Sequence, residues 1–191
     1  GREHVMGGVA YVAAVIAEPG VIRHTAMGSV IFGELDGTAS PRAAALLDAC
    51  AAAGFGARVS QRIDVEIWEK FVRLAVFSGV CAVTRSTIGA IRSDPDTYAM
   101  LTDALGETLA VARARGVPLR DDLRGEILQM VRDLPAASKA SMLEDLERGR
   151  PLELPWLSGA VVRLGRELGV ATPVHSFIAA ALKLHSGARG A

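Results

Sequence analysis

The residue that most directly suggests chemistry is Lys70, which lies in the apolar stretch Ile67-Trp68-Glu69-Lys70-Phe71. A lysine one turn into an apolar helix has two interpretations. Its methylene stem can lie along apolar side chains while the ammonium reaches water. Alternatively, the ammonium faces a cleft, where it polarises a carbonyl group or donates a proton. Lys70, Leu74 and Ser78 are four residues apart and share one helix face, and these residues alone leave both interpretations open.

A second candidate is the charged segment 139–150, which contains Ser141 and is followed by Glu153. One interpretation is a solvated amphipathic helix with Ser141 near its N-cap. The other places Ser141 at a helix N-terminus, where its hydroxyl and the free backbone N–H groups suit an anionic substrate. Glu153 is then a hydrogen-bond acceptor for a substrate hydroxyl. Both interpretations remain open at this point.

Other common chemistries lack support in the sequence. The four histidines are scattered and lack the spacing of metal ligands. The sequence has no Gly-x-Ser-x-Gly elbow and no P-loop, and no Gly-x-Gly-x-x-Gly follows a strand. The 21 Lys and Arg residues balance the 21 Asp and Glu residues, and basic residues do not alternate with aromatic ones, which argues against nucleic-acid binding. We expect Trp156 and Phe177 to belong to the core.

The apolar content and the cysteines indicate where the protein works. The two apolar stretches, 5–16 and 74–83, are too short to cross a membrane. The two cysteines, Cys50 and Cys81, cannot form a disulfide framework and suit a reducing compartment. The sequence therefore predicts a cytoplasmic protein that binds no membrane.

The elements that position the candidates change in type along the chain. Residues 9–33 predict a β-meander with turns at Pro19-Gly20 and Met27-Gly28. A helix follows from Pro41, with Ser40 as its N-cap, and a short strand covers residues 57–60. This β region is too small to cover its own sheet. We therefore expect it to be the end of a larger α/β domain, and the chain to be a fragment.

From Asp64 onward the pattern is helical. Asp64 is predicted to cap a long helix that carries Lys70, with a break at residues 87–89. The next helix begins at Asp94-Pro95 and ends at Gly116. Three or four shorter helices follow, and the small, polar tail is expected to fray. The predicted fold is mainly α, or α+β when the N-terminal strands are included.

Taken together, these segments resemble the ketopantoate reductase (2-dehydropantoate 2-reductase) family over nearly the whole chain. Five pieces occur in the order of the family, each weak alone. They are Pro19-Gly20-Val21-Ile22-Arg23-His24 with Phe32-Gly33-Glu34; Ile67-Trp68-Glu69-Lys70-Phe71; Glu107 through Gly116-Val117; Ser141-Met142-Leu143-Glu144-Asp145 with Gly149-Arg150-Pro151-Leu152-Glu153; and Gly159 with Gly169-Val170-Ala171-Thr172-Pro173.

The resemblance implies a division into three parts. Residues 1–62 are the C-terminal remnant of a truncated Rossmann cofactor domain, with its β-meander and helix. Residues 63–186 are a helical domain of the ketopantoate reductase or 6-phosphogluconate dehydrogenase C-terminal type, which binds substrate and dimerises. Residues 187–191 are a frayed tail.

The resemblance also implies an activity and its residues. Family members are NADP-dependent oxidoreductases that reduce a branched 2-keto acid, 2-dehydropantoate, to pantoate for pantothenate and coenzyme A biosynthesis. Lys70 is then the catalytic lysine, and Ser141, Glu153 and Ser78 bind substrate. The family carries asparagines one and two turns after the lysine, where this chain has Leu74 and Ser78. Leu74 forms no hydrogen bond, which favours a drier pocket or a different 2-keto acid.

No residue of this chain is predicted to bind NADPH, because the glycine-rich loop of the family's cofactor domain is absent from the 191 residues. We therefore expect the isolated chain to be inactive, and its exposed strands to favour a homodimer. Two alternatives remain open. One is a related 2-hydroxy acid or opine-type dehydrogenase. The other is a helical dimerisation module without chemistry of its own.

Overall fold

The computed structural model describes residues 1–187 as two compact units, of which the first is Gly1–Ile67 and the second begins at Trp68. The mainly α fold with a small N-terminal sheet is confirmed. The assignment of residues 1–62 to a cofactor-domain remnant and of 63–186 to a substrate domain stays a prediction. Most of the expected frayed tail, residues 188–191, lies outside the described residues.

The first unit contains a three-stranded sheet and one helix. After a 3-10 turn, strands β1 (Met6–Glu18) and β2 (Val21–Glu34) pair antiparallel. Helix α1 (Pro41–Ala52) then leads to β3 (Gly56–Val59), which pairs parallel with β2 and leaves β2 central. The expected meander is therefore wrong, because β1 and β2 form one long hairpin and β3 returns in the parallel direction.

The predicted turn at Met27-Gly28 is a bulge within β2. Tyr11 pairs with Ser29 and Val12 pairs with Met27, so Gly28 has no partner across the ladder. Met27 has φ 58° and Gly28 has φ 152°. One extra residue bends an antiparallel strand without ending it, and glycine accepts the unusual backbone conformation. A local glycine signal does not distinguish this bulge from a turn.

The loop before α1 is held by side-chain hydrogen bonds. The Ser40 hydroxyl accepts a hydrogen bond from the Ala43 backbone N–H at 3.2 Å, which confirms Ser40 as the N-cap. The Glu34 carboxylate, at the end of β2, accepts hydrogen bonds from the side chains of Ser40 and Arg42. The hydrogen bond and charge of Arg42 lower the pKa of Glu34 to about 2.

Seven helices run from Ile63 to Leu182. They are α2 (Ile63–Thr84), α3 (Ile88–Ser93), α4 (Pro95–Ala114), α5 (Leu123–Asp133), α6 (Ser141–Glu147), α7 (Ser158–Leu168) and α8 (Pro173–Leu182), followed by a 3-10 turn at Lys183–His185. Asp94 caps α4 as predicted, since its carboxylate accepts a hydrogen bond from the Thr97 backbone N–H at 2.8 Å. Asp64 is not the cap of α2, because the helix already begins at Ile63. Its negatively charged carboxylate lies in the first turn, where it interacts favourably with the positive end of the helix dipole.

The expected break at residues 87–89 contains the start of α3. Thr87 is its N-cap residue, and the Ile88 and Gly89 backbone N–H groups bond to the carbonyls of Ser138 and Ala136 at 3.0 Å each. The segment between α5 and α6 is thereby fixed to the start of α3. This tie positions the N-terminus of α6, which carries Ser141.

The second unit has one large apolar core, to which α2 contributes Val72, Ala75, Val76 and Val80. The expectation that Trp156 and Phe177 join this core is wrong. Their side chains are 72% and 59% exposed. Trp156 lies in the turn before α7, and Phe177 lies on the outer face of α8, where the buried Ile178 takes the inward position.

Gly89→Ala is expected to lower the free energy of unfolding by about 2 kcal/mol, because an added Cβ would lie 2.6 Å from the Ala136 Cβ. Gly125→Ala is the matched control, since a Cβ in that helix meets no atom within 4 Å and alanine favours the helix by about 1 kcal/mol. Denaturant unfolding followed by tryptophan fluorescence compares the two variants. Equal stability would contradict the close contact.

Candidate functional site

The candidate site is built along α2. Lys70 is half-buried, Leu74 is 37% exposed and Ser78 is 2% exposed. On this face Leu74 is the most exposed residue, while Lys70 and Ser78, at the two ends, are half-buried and almost fully buried. The two residues are separated by about 12 Å along the axis, given the rise of an α-helix.

The turn that carries Lys70 is anchored by a network of ion pairs. The Glu69 carboxylate accepts a hydrogen bond from Arg120 at 3.1 Å and lies 3.7 Å from the Arg73 guanidinium. Arg120 also pairs with Glu126 of α5 at 2.6 Å. The hydrogen bond from Arg120 lowers the pKa of Glu126, and the carboxylates raise the pKa of Arg120. These contacts fix α2 beside α5 at the position of the lysine.

Ser141 is the first residue of α6 and is exposed, while the buried Ala140 holds the N-cap position. The Ala140 backbone N–H donates a hydrogen bond to the Cys81 sulfur on α2. Burial nevertheless raises the pKa of the Cys81 thiol to about 11, so the thiol is protonated at neutral pH. This contact places the start of α6 beside α2, one turn beyond Ser78.

Glu153 is exposed and lies in the turn that leads to α7. Its backbone carbonyl accepts hydrogen bonds from the N–H groups of Trp156 and Leu157 at 3.0 and 3.1 Å. The first residue of α7, Ser158, meets α2 at Gly79, where an added Cβ would lie 2.8 Å from the Ser158 Oγ. The segment that contains Glu153 therefore ends beside α2, five residues after Glu153.

Two chain segments that carry predicted site residues pack against the second half of α2. Ser78 is on that half, and the segments of Ser141 and Glu153 contact it at Cys81 and Gly79. Lys70 lies two turns earlier on the face of Ser78. Lys70 and Ser78 both carry hydrogen-bond donors that an anionic substrate can accept, and they lie two helical turns apart.

A buried polar network that sequence reasoning missed supports this arrangement. The His175 ring of α8 is fully buried and contacts the Thr108 Oγ1 at 2.8 Å, the Ala104 carbonyl at 3.1 Å and the Ser158 Oγ at 3.2 Å. The Glu107 carboxylate accepts the backbone N–H groups of Val174 and His175 at 2.7 and 3.0 Å. It thereby satisfies the free donors at the start of α8. These hydrogen bonds join α4, α7 and α8. Ser158, a member of the network, is also the residue that meets Gly79 of α2.

The only sequence signal for this network was a histidine in an apolar helix, a pattern that does not identify partners 67 residues away. The sequence also contains no local pattern that predicts the ion pairs of Arg120 with Glu69 and Glu126. Glu69 and Arg73, at a spacing of four, were the detectable part of that group.

The loop between β2 and α1 has one glycine, Gly37, whose added Cβ would lie 2.5 Å from the Gln61 carbonyl oxygen, so its backbone is covered by protein. Residues 1–187 contain no group of three or more metal-ligating side chains. In the same range, every helix is too short or too polar to cross a membrane.

Comparison with known proteins gives a consistent result. The family model described as ketopantoate reductase PanE/ApbA C terminal matches residues 62–186. A 2-dehydropantoate 2-reductase of Mesorhizobium japonicum is 35% identical over 100% of this chain and 58% of its own length. An uncharacterized oxidoreductase of Bacillus subtilis, YkpB, is 28% identical over 96% of this chain and 61% of its own length. The chain therefore spans about three fifths of these curated relatives.

Solved structures show the same fold. A PanE/ApbA family ketopantoate reductase from Ralstonia eutropha JMP134 superposes with a TM-score of 0.86 at 29% identity, covering 95% of this chain and 59% of that one. A D-mandelate dehydrogenase solved with NADH has a TM-score of 0.85 at 22% identity, covering 97% of this chain and 64% of that one. The second likeness shows the fold alone.

The buried His175 predicts a pH-dependent stability. Burial lowers the pKa of His175 from its ordinary 6.5 to about 4. Between these values the unfolded chain binds a proton that the folded chain does not, so stability is complete above pH 6.5 and is lost as the pH falls toward 4. We expect the free energy of unfolding to drop by about 2 kcal/mol between pH 7 and pH 5.

Denaturant unfolding at the two pH values measures this drop, with His175→Gln and His185→Gln as a pair. The drop should disappear in His175→Gln and persist in His185→Gln, whose ring lies in the terminal 3-10 turn. An unchanged drop in His175→Gln would assign the pH dependence to other groups.

Proposed function

The chain belongs to the ketopantoate reductase family, and on that premise we propose that it is the substrate-binding part of an NADPH-dependent reductase of 2-keto acids. The substrate of the family name, 2-dehydropantoate, is the first candidate, with pantoate as product. The observation that carries the proposal is the α2 face itself. It presents a half-buried lysine, and the segments of Ser141 and Glu153 contact the same helix.

In this proposal Lys70 is the catalytic acid. Reduction of a ketone builds negative charge on the carbonyl oxygen, and an ammonium group that donates a hydrogen bond to that oxygen stabilises the charge as it forms. The same group then delivers the proton that completes the alcohol. The ion pairs of Glu69 with Arg120 and Arg73 hold its helical turn in place. This preorganisation lowers the cost of placing the cation at the ketone.

The remaining predicted site residues bind the 2-keto acid substrate. The Ser141 and Ser78 hydroxyl groups donate to the substrate carboxylate, while the exposed Glu153 carboxylate accepts a hydrogen bond from a hydroxyl of the bound acid. NADPH supplies the hydride when it is bound. Because these 191 residues contain no glycine-rich pyrophosphate loop, we assign its binding to the additional length that the relatives have.

We also propose that the protein forms a homodimer in the cytoplasm. Most of the hairpin beyond Tyr11 is solvent-exposed, including large apolar side chains on both strands: Val12, Val15, Ile16, Val21, Ile22 and Met27. Exposed apolar strands are surfaces on which a second chain pairs. Both cysteines, Cys50 and Cys81, are free and buried, which fits a reducing compartment.

Lys70→Ala in the full-length protein is expected to reduce kcat for 2-keto acid reduction at least about 100-fold, because the general acid and the stabilising cation are lost together. NADPH oxidation at 340 nm with 2-dehydropantoate measures this effect. Lys183→Ala is the control, since that exposed lysine lies in the terminal 3-10 turn. A Lys70→Ala enzyme with the kcat of the control would refute the assignment.

The isolated 191 residues are expected to show no ketone-dependent oxidation of NADPH and no binding of NADPH by calorimetry. The physical reason is the missing pyrophosphate site, because backbone N–H groups of a glycine-rich loop provide most of the anion binding in dinucleotide folds. The full-length protein under the same conditions is the control. Turnover by the isolated residues would overturn this part of the proposal.

A further inference from the structure

The hairpin of β1 and β2 extends beyond the part of the sheet that has three strands. Strand β3 pairs with β2 only from Ser29 to Phe32, so residues 12–27 form a ribbon of two strands. A two-stranded ribbon alone is at most marginally stable in water. Both strands of this ribbon carry large apolar side chains that are exposed to solvent. Burial of these side chains against another surface would stabilise the ribbon.

The strand register places four of these side chains on one face of the ribbon. Val12 pairs directly with Met27, and Ile16 pairs directly with Ile22. Directly paired residues share a face, and so do residues four apart in a regular strand. The shift in register between Val12 and Ile16 adds one residue, Thr25, to β2 and none to β1, so β1 is regular here. We call the surface formed by Val12, Ile16, Ile22 and Met27 the distal face.

The distal face continues the face of the hairpin that α1 covers. Val30 pairs with Ala10, which lies two residues before Val12 in β1 and therefore on the same face. Val30 packs against the apolar cluster that contains Ala43 of α1. The side chains of the distal face, in contrast, are 51% to 78% exposed. One face of the hairpin is thus covered by α1 at one end and open to solvent at the other.

The distal face offers no carboxylate, ammonium or guanidinium group to a charged partner. Between its two residue pairs lie Ala14 and His24, which pair with each other, and the His24 Nε2–H donates a hydrogen bond to the Ala26 carbonyl at 3.1 Å. The charged Arg23 pairs with Val15 and therefore lies on the opposite face. A hydrocarbon surface has no sign of charge, so it can pack against a copy of itself without placing like charges together, as a two-fold interface requires.

The size of the distal face suits a small dimer interface. Its four large apolar side chains, each more than half exposed, offer about 300 Å² of apolar surface. At the low end of stable interfaces each partner buries about 600 Å², of which somewhat more than half is apolar. Two copies that pack by this face therefore bury most of the apolar surface that such an interface needs.

We propose that the distal face packs against the same face of a second copy of this chain, around a two-fold axis. This inference rests on the homodimer of the proposed function and names the surface that forms it. The two ribbons then make two layers, about 10 Å apart as in packed sheets. The opposite face of each ribbon, with Val15 and Arg23, stays in solvent.

Adjacent residues on opposite faces provide a matched pair of variants. In the full-length protein, Ile16→Glu places a carboxylate in the proposed interface, while Val15→Glu places one on the opposite face, across from Arg23. Each change is present twice in a dimer, so Ile16→Glu should raise the Kd of the dimer at least about 100-fold. Val15→Glu should leave this Kd within about threefold of the wild-type value. Size exclusion with light scattering over a dilution series measures both constants.

Two further measurements separate the interface from the folding of the hairpin. The double variant Ile16→Thr, Ile22→Thr keeps a high strand propensity and should also raise the Kd at least about 100-fold, since four apolar side chains leave the interface. Ala14→Cys, at the centre of the distal face, should be joined to a second copy by a short bis-maleimide, whereas Ala13→Cys, on the opposite face, should not. Both natural cysteines are buried, which leaves this reaction to the introduced thiol.

Each failure is assigned to one proposal. A dimer that Ile16→Glu leaves intact forms through another surface, which overturns the role of the distal face and retains the homodimer. Equal loss of the dimer in Ile16→Glu and Val15→Glu would also overturn it. A monomeric wild type overturns both, and a monomer that sediments with phosphatidylcholine vesicles assigns the distal face to a lipid surface instead. Oxidation of NADPH with 2-keto acids, measured on the same wild-type sample, tests the reductase function separately, because it requires no dimer.

Discussion

The close approach of α7 and α8 to α2 at Gly79 is the constraint on which the helical unit depends. A side chain at this position would meet the Ser158 Oγ at 2.8 Å and the Ile178 side chain at 3.3 to 3.4 Å. The absence of a Cβ lets three helices meet without a cavity. Because Ser78 precedes this glycine and Ser158 is the first residue of α7, the contact joins the part of α2 that carries Ser78 to the start of α7.

The polar network behind this contact makes it specific. Hydrophobic packing alone leaves helices free to slide by small amounts, whereas hydrogen bonds fix their register. His175 bonds to Ser158 through one ring nitrogen and lies within hydrogen-bond distance of Thr108 and the Ala104 carbonyl through the other. A neutral ring that donates to Ala104 and accepts from Ser158 satisfies both nitrogens in the core. The lowered pKa of His175 keeps that neutral form at physiological pH.

Local chemistry made part of this structure predictable. Ser40 and Asp94 cap their helices because short polar side chains before a proline favour that role, and the sequence shows both features directly. The shared face of Lys70 and Ser78 followed from helical periodicity alone. The Met27-Gly28 bulge was mistaken for a turn, since both need the same backbone freedom. The prediction that Trp156 is buried was wrong, because the type of a side chain does not indicate whether the loop that carries it faces the core or the solvent.

Contacts between residues far apart in the chain could not be predicted from the sequence. No local pattern links Ala140 to Cys81 or Ser158 to Gly79, yet these contacts bring the start of α6 and the start of α7 to α2. The resemblance to a family implies the candidate residues, whereas the packing of the segments that carry them appears only in the structure. The two ends of the α2 face also differ in a way that periodicity does not show. A half-buried lysine can exchange protons with a substrate and water, while a nearly closed serine can only orient what reaches it. Leu74, between them, is the most exposed of the three at 37%, so the shared face that periodicity predicts is not uniform in its access to solvent.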